Sequence, residues 1–170
     1  MPFFATVRDF FRFTHKIHVK PGDYPLVFSR HRFGRQLAEY QTRPPRYDAE
    51  KNRFVLKHGV LNTHERMGKP AGPLVDYAHD FFQRICDHTQ ASLIWKPRTH
   101  HKRAWHLFKR RGFTPVTQTE GITFFEKVLR PEKKTATFTP EERQALRHIL
   151  KASGWKTGNK LKHQIQPENA

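Results

Sequence analysis

The segment from Lys96 to Arg111 carries Lys96, Arg98, Lys102, Arg103, Lys109, Arg110 and Arg111 and contains no carboxylate. Such a run can hold the phosphates of a phosphorylated cofactor. It can also recruit RNA or DNA through the nucleic-acid backbone, which makes binding steeply salt-dependent. Its plain structural use is a solvated helix face. Trp95, Trp105 and Tyr77 offer rings for stacking on a base or on adenine, and equally suit a core. Upstream, Arg66-Met67-Gly68-Lys69-Pro70-Ala71-Gly72 leads into Pro73-Leu74. A glycine-rich turn opening a helix presents unpaired N–H groups and a positive dipole end to an anion. Lys69 and Arg66 add charge there and Pro70 removes one donor; the plain alternative is a helix start with Pro73 in its first turn. His15/His18, His58/His64 and His100/His101 are close pairs, but none has the spacing and acidic partner of a metal site. Surface or hydrogen-bonded histidines are expected, and no metal. Cys86 is the single cysteine, which excludes an intramolecular disulfide, and its place in a helix suits a buried thiol.

These groups need elements to position them. Ser92-Leu93-Ile94-Trp95 is an apolar run of strand length, stopped by Lys96-Pro97 because proline brings no ladder donor and restricts its predecessor. Ala104, Leu107, Phe108 and Arg111 recur at helical spacing within 100–111, and Gly112 is placed for the residue after the helix. Leu74, Tyr77, Ala78, Phe81, Phe82, Ile85 and Cys86 form a wide apolar face on the helix after Pro73. Arg53 to Leu61 is a strand, and Phe113–Thr117 and Ile122–Leu129 are two more, joined near Gly121. Strand–helix–strand–helix–strand–strand over 53–129 is an α/β arrangement.

The flanks are less patterned. Phe3, Phe4, Val7, Phe10 and Phe11 follow a helical period, although aromatics suit a strand as well. Lys16–Lys20 and Leu26–Ser29 read as strands around a Pro21-Gly22-Asp23 turn. Phe33–Tyr40 reads as a short helix and 41–52 as a polar loop marked by Pro44-Pro45. After a charged linker at 130–138, Thr139-Pro140-Glu141-Glu142 starts a helix with a cap, a proline at N1 and first-turn acids. Ser153-Gly154 should end it, with Trp155 packing back and 156–170 a basic, mobile tail. The division expected is a domain over 1–130 and a basic helical extension over 131–170.

With 170 residues, 15 of them Phe, and 36% hydrophobic content, the chain can build one core. Its net charge of +17 and pI near 10.5 exceed what solubility needs and imply an anionic partner. No apolar run approaches the ~20 residues needed to cross a bilayer. Arg8, Asp9 and Arg12 interrupt the Phe-rich N-terminus, so no secretory leader is expected and a cytoplasmic location is.

The line His101-Lys102-Arg103-Ala104-Trp105-His106-Leu107-Phe108-Lys109-Arg110-Arg111-Gly112-Phe113 resembles the Asn-x-x-Ala-x-x-Leu-Tyr-x-x-x-Gly-Phe pattern of the GNAT superfamily of acyl-CoA N-acyltransferases. Ala104, Leu107, Gly112 and Phe113 match; His101 stands for the Asn and Phe108 for the Tyr. Arg66, Ala71 and Leu74 fit that family's cofactor loop, Arg/Gln-x-x-Gly-x-Gly/Ala, with Lys69 where its first Gly falls between Gly68 and Gly72. The resemblance covers roughly 53–129.

It implies an α/β, GNAT-like mixed sheet flanked by helices, in which two strands splay apart around the pantetheine arm. The implied cofactor is acetyl-CoA or another acyl-CoA. The implied cofactor contacts are the backbone of Val60, Leu61 and Asn62, the loop residues Arg66, Gly68, Lys69, Ala71 and Gly72, and His101, Ala104 and Phe108 on the second helix. An acceptor amine must lose a proton, and His58, His64 and Glu65 are alternative bases. Phe108 cannot protonate the leaving thiolate; His101, His106 or water takes that role. The charge adds an acceptor on an anionic macromolecule. The alternative is a non-enzymatic nucleic-acid-binding protein that uses Lys96, Arg98, Lys102, Arg103, Lys109, Arg110 and Arg111. Oligomeric state is not legible.

Overall fold

A computed structural model describes residues 12–63 and 71–165. The Phe-rich start and the loop 64–70, with His64, Glu65, Arg66, Gly68 and Lys69, lie outside the described residues, as do 166–170.

Three strands come first: β1 (Thr14–Val19), β2 (Leu26–Arg32) and β3 (Arg35–Thr42), consecutively antiparallel. The segment expected to be a short helix at Phe33–Tyr40 is therefore a turn and a strand. Phe33 and Gly34 both take positive φ, 52° and 67°, which is the two-residue turn whose twist suits a hairpin. Leu37, Ala38 and Tyr40 are buried along β3. Helix-forming residues such as Leu37, Ala38 and Glu39 lose here to the ladder offered by β2.

The expected loop at 41–52 contains a further strand, β4 (Arg46–Asp48). The expected strand from Arg53 divides into β5 (Arg53–Lys57) and β6 (Val60–Thr63). Ala38 faces Thr63 and Gln41 faces Val60; Arg46 faces Val55 and Asp48 faces Arg53. The two pairings share one register. They are one long antiparallel pair interrupted where Pro44 and Pro45 lack ladder donors and where His58-Gly59 breaks the opposite strand.

Two helices cross over next. α1 (Ala71–Thr89) leads to β7 (Ser92–Lys96), which pairs with β5 in parallel from Arg53↔Ser92 to Lys57↔Lys96. β8 (Arg98–Thr99), α2 (Lys102–Arg110), β9 (Thr114–Thr119) and β10 (Ile122–Leu129) follow. β10 pairs with β7, β8 and β9, all antiparallel. This mixed α/β sheet, flanked by helices, has the element order that the acyltransferase resemblance implies.

α3 (Pro140–Ser153) shares the main core through Ala145, Leu146 and Ile149. Its start is a capping box: the Glu142 N–H donates to Thr139 Oγ1 at 3.2 Å, and the Thr139 N–H donates to Glu142 Oε1 at 2.9 Å. Gly154 ends it at φ 83°, and Trp155 is buried against the His88 ring at 6.3 Å. The expected tail instead continues as α4 (Thr157–Ile165). The core centre is aromatic: Phe28, Phe81, Phe82 and Trp95 are each 0–1% exposed. Among the described residues no helix is long and apolar enough to cross a membrane.

Candidate active site

The strand break creates the site. β5 and β7 run side by side as far as Lys57 and Lys96, then part. Pro97 has no N–H to continue the ladder, and its carbonyl accepts from the Phe125 N–H at 2.9 Å, which turns the chain toward β10. On the other side, β6 stays with β3. Between β6 and β8 opens a cleft of about 1040 Å³.

Gly59 makes the break possible. A Cβ there would stand 2.6 Å from Tyr40 Cε2 and would also overlap the Gln41 carbonyl oxygen. Only a residue without a side chain lets the Tyr40 ring cross beneath the strand and reach Trp95, ring centroids 6.0 Å apart.

Both helix starts border the cleft, through Ala71 of α1 and through His101, Lys102 and Arg103 at the start of α2. His101 is the N-cap in extended geometry, with no side-chain cap; its ring lies 4.0 Å from that of His100. The α2 N-terminus therefore keeps free N–H groups. Arg98, Lys102 and Arg103 are exposed at the rim. No carboxylate stands among the described lining residues.

His58 lines the cleft at the break itself. Burial lowers its pKa from the ordinary 6.5, and Arg98, Arg43 and Lys57 lower it further. The imidazole is thus neutral at pH 7 and free to accept a proton. Tyr40 is 6% exposed; burial pushes its hydroxyl up to about 12, against the opposing side-chain hydrogen bonds with Thr42 and Trp95.

The structure thus gathers His58, Val60, Leu61, Ala71, Arg98, His101, Lys102, Arg103, Ala104 and Phe108 around one cleft. Phe108 packs between Phe113 and Phe125 at 5.3 and 5.4 Å and offers hydrocarbon only. Asn62, Gly72, Lys96, Lys109, Arg110 and Arg111 do not line it. Arg111 instead binds Asp76 through Nε at 2.7 Å, tying α2 to α1. Lys109 sits 3.9 Å above the Trp105 ring. Cys86 is fully buried and burial raises it to about 12, as befits an inert core thiol.

Sequence reasoning missed Tyr40 because it placed that residue on a helix. The Phe33-Gly34 pair was the available signal, since a turn there turns Leu37 to Thr42 into a strand.

Fold and cleft together define an α/β protein with parted central strands and a wedge between them whose described charged lining residues are all cationic. No family model matches the chain, and no curated protein does. Among solved structures it is similar to a GNAT-family acetyltransferase from Listeria monocytogenes, at 11% identity and TM-score 0.41, over 61% of this chain and 64% of that one. It is also similar to a GNAT-family acetyltransferase from Streptococcus pneumoniae, at 14% and 0.44, over 64% and 68%. A third likeness is to a ribosomal-protein-alanine N-acetyltransferase from Brucella melitensis, at 18% and 0.45, over 62% and 69%. The chain thus spans less than two thirds of the Listeria protein.

Proposed function

We propose that the cleft is an acyl-CoA site and that the protein is an N-acyltransferase, most simply with acetyl-CoA, acting on an amine carried by an anionic molecule. The observation that carries this reading is the wedge between β6 and β8, flanked by two helix N-termini and edged by Arg98, Lys102 and Arg103. Those features suit a ligand with a narrow arm and a phosphorylated head.

The bound thioester supplies an activated acyl group; the chain supplies placement and proton handling. Holding the acceptor beside it accounts for much of the rate, because positioning replaces a bimolecular encounter. His58 accepts the amine proton, and its cationic surroundings keep it unprotonated for that task. The backbone of Val60 and Leu61, beyond the strand break, lines the wedge and is the donor proposed for the acyl oxygen. Ala104 and Phe108 give an apolar wall. With no carboxylate among the described lining residues, a polycationic acceptor is repelled, whereas an amine on a nucleotide, RNA or other acidic carrier is drawn in.

Calorimetry with acetyl-CoA on wild type and Lys102→Glu tests this. An acid in the first turn favours the helix, yet repels phosphates. Wild type should bind and Lys102→Glu, at an exposed position on the cleft rim, should lose at least tenfold while its melting temperature holds. No wild-type binding at millimolar concentration removes the reading.

A second reading, nucleic-acid binding without catalysis, is favoured by the exposed Lys96, Arg98, Lys102, Arg103, Lys109 and Arg110, for which no carboxylate partner stands among the described residues. A salt series against duplex DNA and structured RNA tests it: affinity should fall steeply as salt rises. A flat response sinks it.

A further inference from the structure

At the strand break the wedge carries a ring and a cation that the acyl-CoA contacts leave unused, Tyr24 and Arg43. Leu26 pairs with Thr42 and Gln41 with Val60, so Arg43 follows at the register position opposite His58 and beside the turn that holds Tyr24. There the Arg43 Cζ lies 5.2 Å from the centre of the Tyr24 ring, and its Nε donates to the Asp23 carbonyl at 3.1 Å. Tyr24, His58 and Arg98 line the cleft together. The charges that His58 feels are those of Arg98, Arg43 and Lys57, all positive. These three cations are exposed, and none has a carboxylate partner among the described residues. Asp23 gives Arg43 its backbone carbonyl and no ion pair. A ring steadied by a cation, in a positive field left unneutralised, is a platform for a base and its phosphate. The same field repels an alkylammonium, and no carboxylate among the described lining residues is there to hold one. The amine of a nucleobase carries no charge at neutral pH and escapes that penalty.

We propose that this end of the wedge takes a nucleotide of a single strand as acceptor, with its base stacked on Tyr24, its phosphate on Arg43 and the exocyclic amine of the base facing His58. The inference rests on the acyl-CoA reading and names its acceptor. The base amine attacks the thioester carbonyl. A C–N bond forms, the C–S bond breaks, one amine proton passes to His58, and the departing thiolate takes up a proton to leave as CoA. An acidic peptide would satisfy the same cations, but it brings its amine as an ammonium and makes no use of the Tyr24 ring.

The test is thiol release from acetyl-CoA by the full chain with single-stranded RNA trimers of cytidine, adenosine or uridine, and with aminoethyl phosphate. The cytidine or the adenosine trimer should be acetylated, and the uridine trimer, which has no exocyclic amine, should not. Aminoethyl phosphate, an alkylammonium at neutral pH, should react roughly tenfold more slowly or worse. Tyr24→Ala should raise KM for the reactive trimer roughly tenfold, with acetyl-CoA affinity by calorimetry unchanged, and Tyr24→Phe should keep the wild-type KM. Arg43→Gln should also raise KM and make it less sensitive to salt. An unaltered KM in Tyr24→Ala or in Arg43→Gln, a Tyr24→Phe as weak as Tyr24→Ala, faster transfer to aminoethyl phosphate, or a wild type that binds acetyl-CoA and acetylates no trimer overturns the proposal and leaves the acyl-CoA reading standing. A wild type that binds no acetyl-CoA removes that reading itself, so the two failures are distinct.

Discussion

The α1–α3 junction and the wedge between β6 and β8 handle charged groups in opposite ways. At the junction, Glu142 is 4% exposed and every demand it makes is met. Arg84 donates to it through Nη1 at 3.0 Å and through Nη2, the Thr139 N–H donates at 2.9 Å, and Tyr77 Oη lies at 3.4 Å. In the wedge, the rim cations Arg98, Lys102 and Arg103 are exposed and meet no carboxylate among the described lining residues. A region that satisfies itself is holding the fold. A region that leaves positive charge unmet among the described residues suits the anionic ligand proposed above.

The comparison can be broken or sharpened at several points, the largest effect first. His58→Ala should lower acyl transfer by about 10²–10⁴-fold, the usual worth of a positioned base, with acetyl-CoA affinity retained. Thiol release from acetyl-CoA in the presence of an amine-bearing nucleotide reports it, and an unaltered rate denies His58 the role. Glu142→Ala should cost about 3 kcal/mol of unfolding free energy by chemical denaturation, because Arg84 loses its buried carboxylate and keeps only the exposed Asp80 and the Thr137 carbonyl. CoA binding by the folded fraction should not change; if it does, junction and wedge are not independent.

Gly59→Ala should destabilise by about 1–3 kcal/mol and also weaken acetyl-CoA binding, since the new methyl displaces Tyr40. A stable, fully binding variant would show that the strand break does not depend on that close approach.

The pH responses differ between the regions as well. Burial opposes ionisation of Glu142, but Arg84 and Thr139 hold its pKa below the usual carboxylate value of 4.5. Its contribution is therefore complete above the unfolded value and is lost as pH falls through the lowered folded one, a loss that Glu142→Gln should abolish in acid melts. His58 is lowered by burial and by Arg98, Arg43 and Lys57, so the acid limb of the rate profile should lie below pH 6.5. Raising salt should move that limb up slightly by screening the three cations. A limb at or above 6.5 in low salt would contradict the proposed surroundings.

The second half of the chain was legible because its signals are local. The apolar face of α1, the stop at Lys96-Pro97 and the Thr139 capping box each depend on residues within one or two turns. β3 was misread because Leu37, Ala38 and Glu39 are helix formers whose fate is settled by a partner strand. The split between β5 and β6 was hidden for a similar reason: His58-Gly59 looks like an interruption of no consequence until its neighbours on both sides are known. The basic run was legible as charge and Ala104 entered through the family resemblance, and both border the cleft, whereas Arg111 is spent on Asp76, a contact made across 35 residues.

Charge, single-core size, helix caps and the α/β order are properties of the sequence itself, because each arises from composition or from neighbours along the chain. The wedge and the lowering of the His58 pKa were decided only in three dimensions. They arise where two strands stop pairing and burial withholds water, and neither event is written in any local stretch of residues.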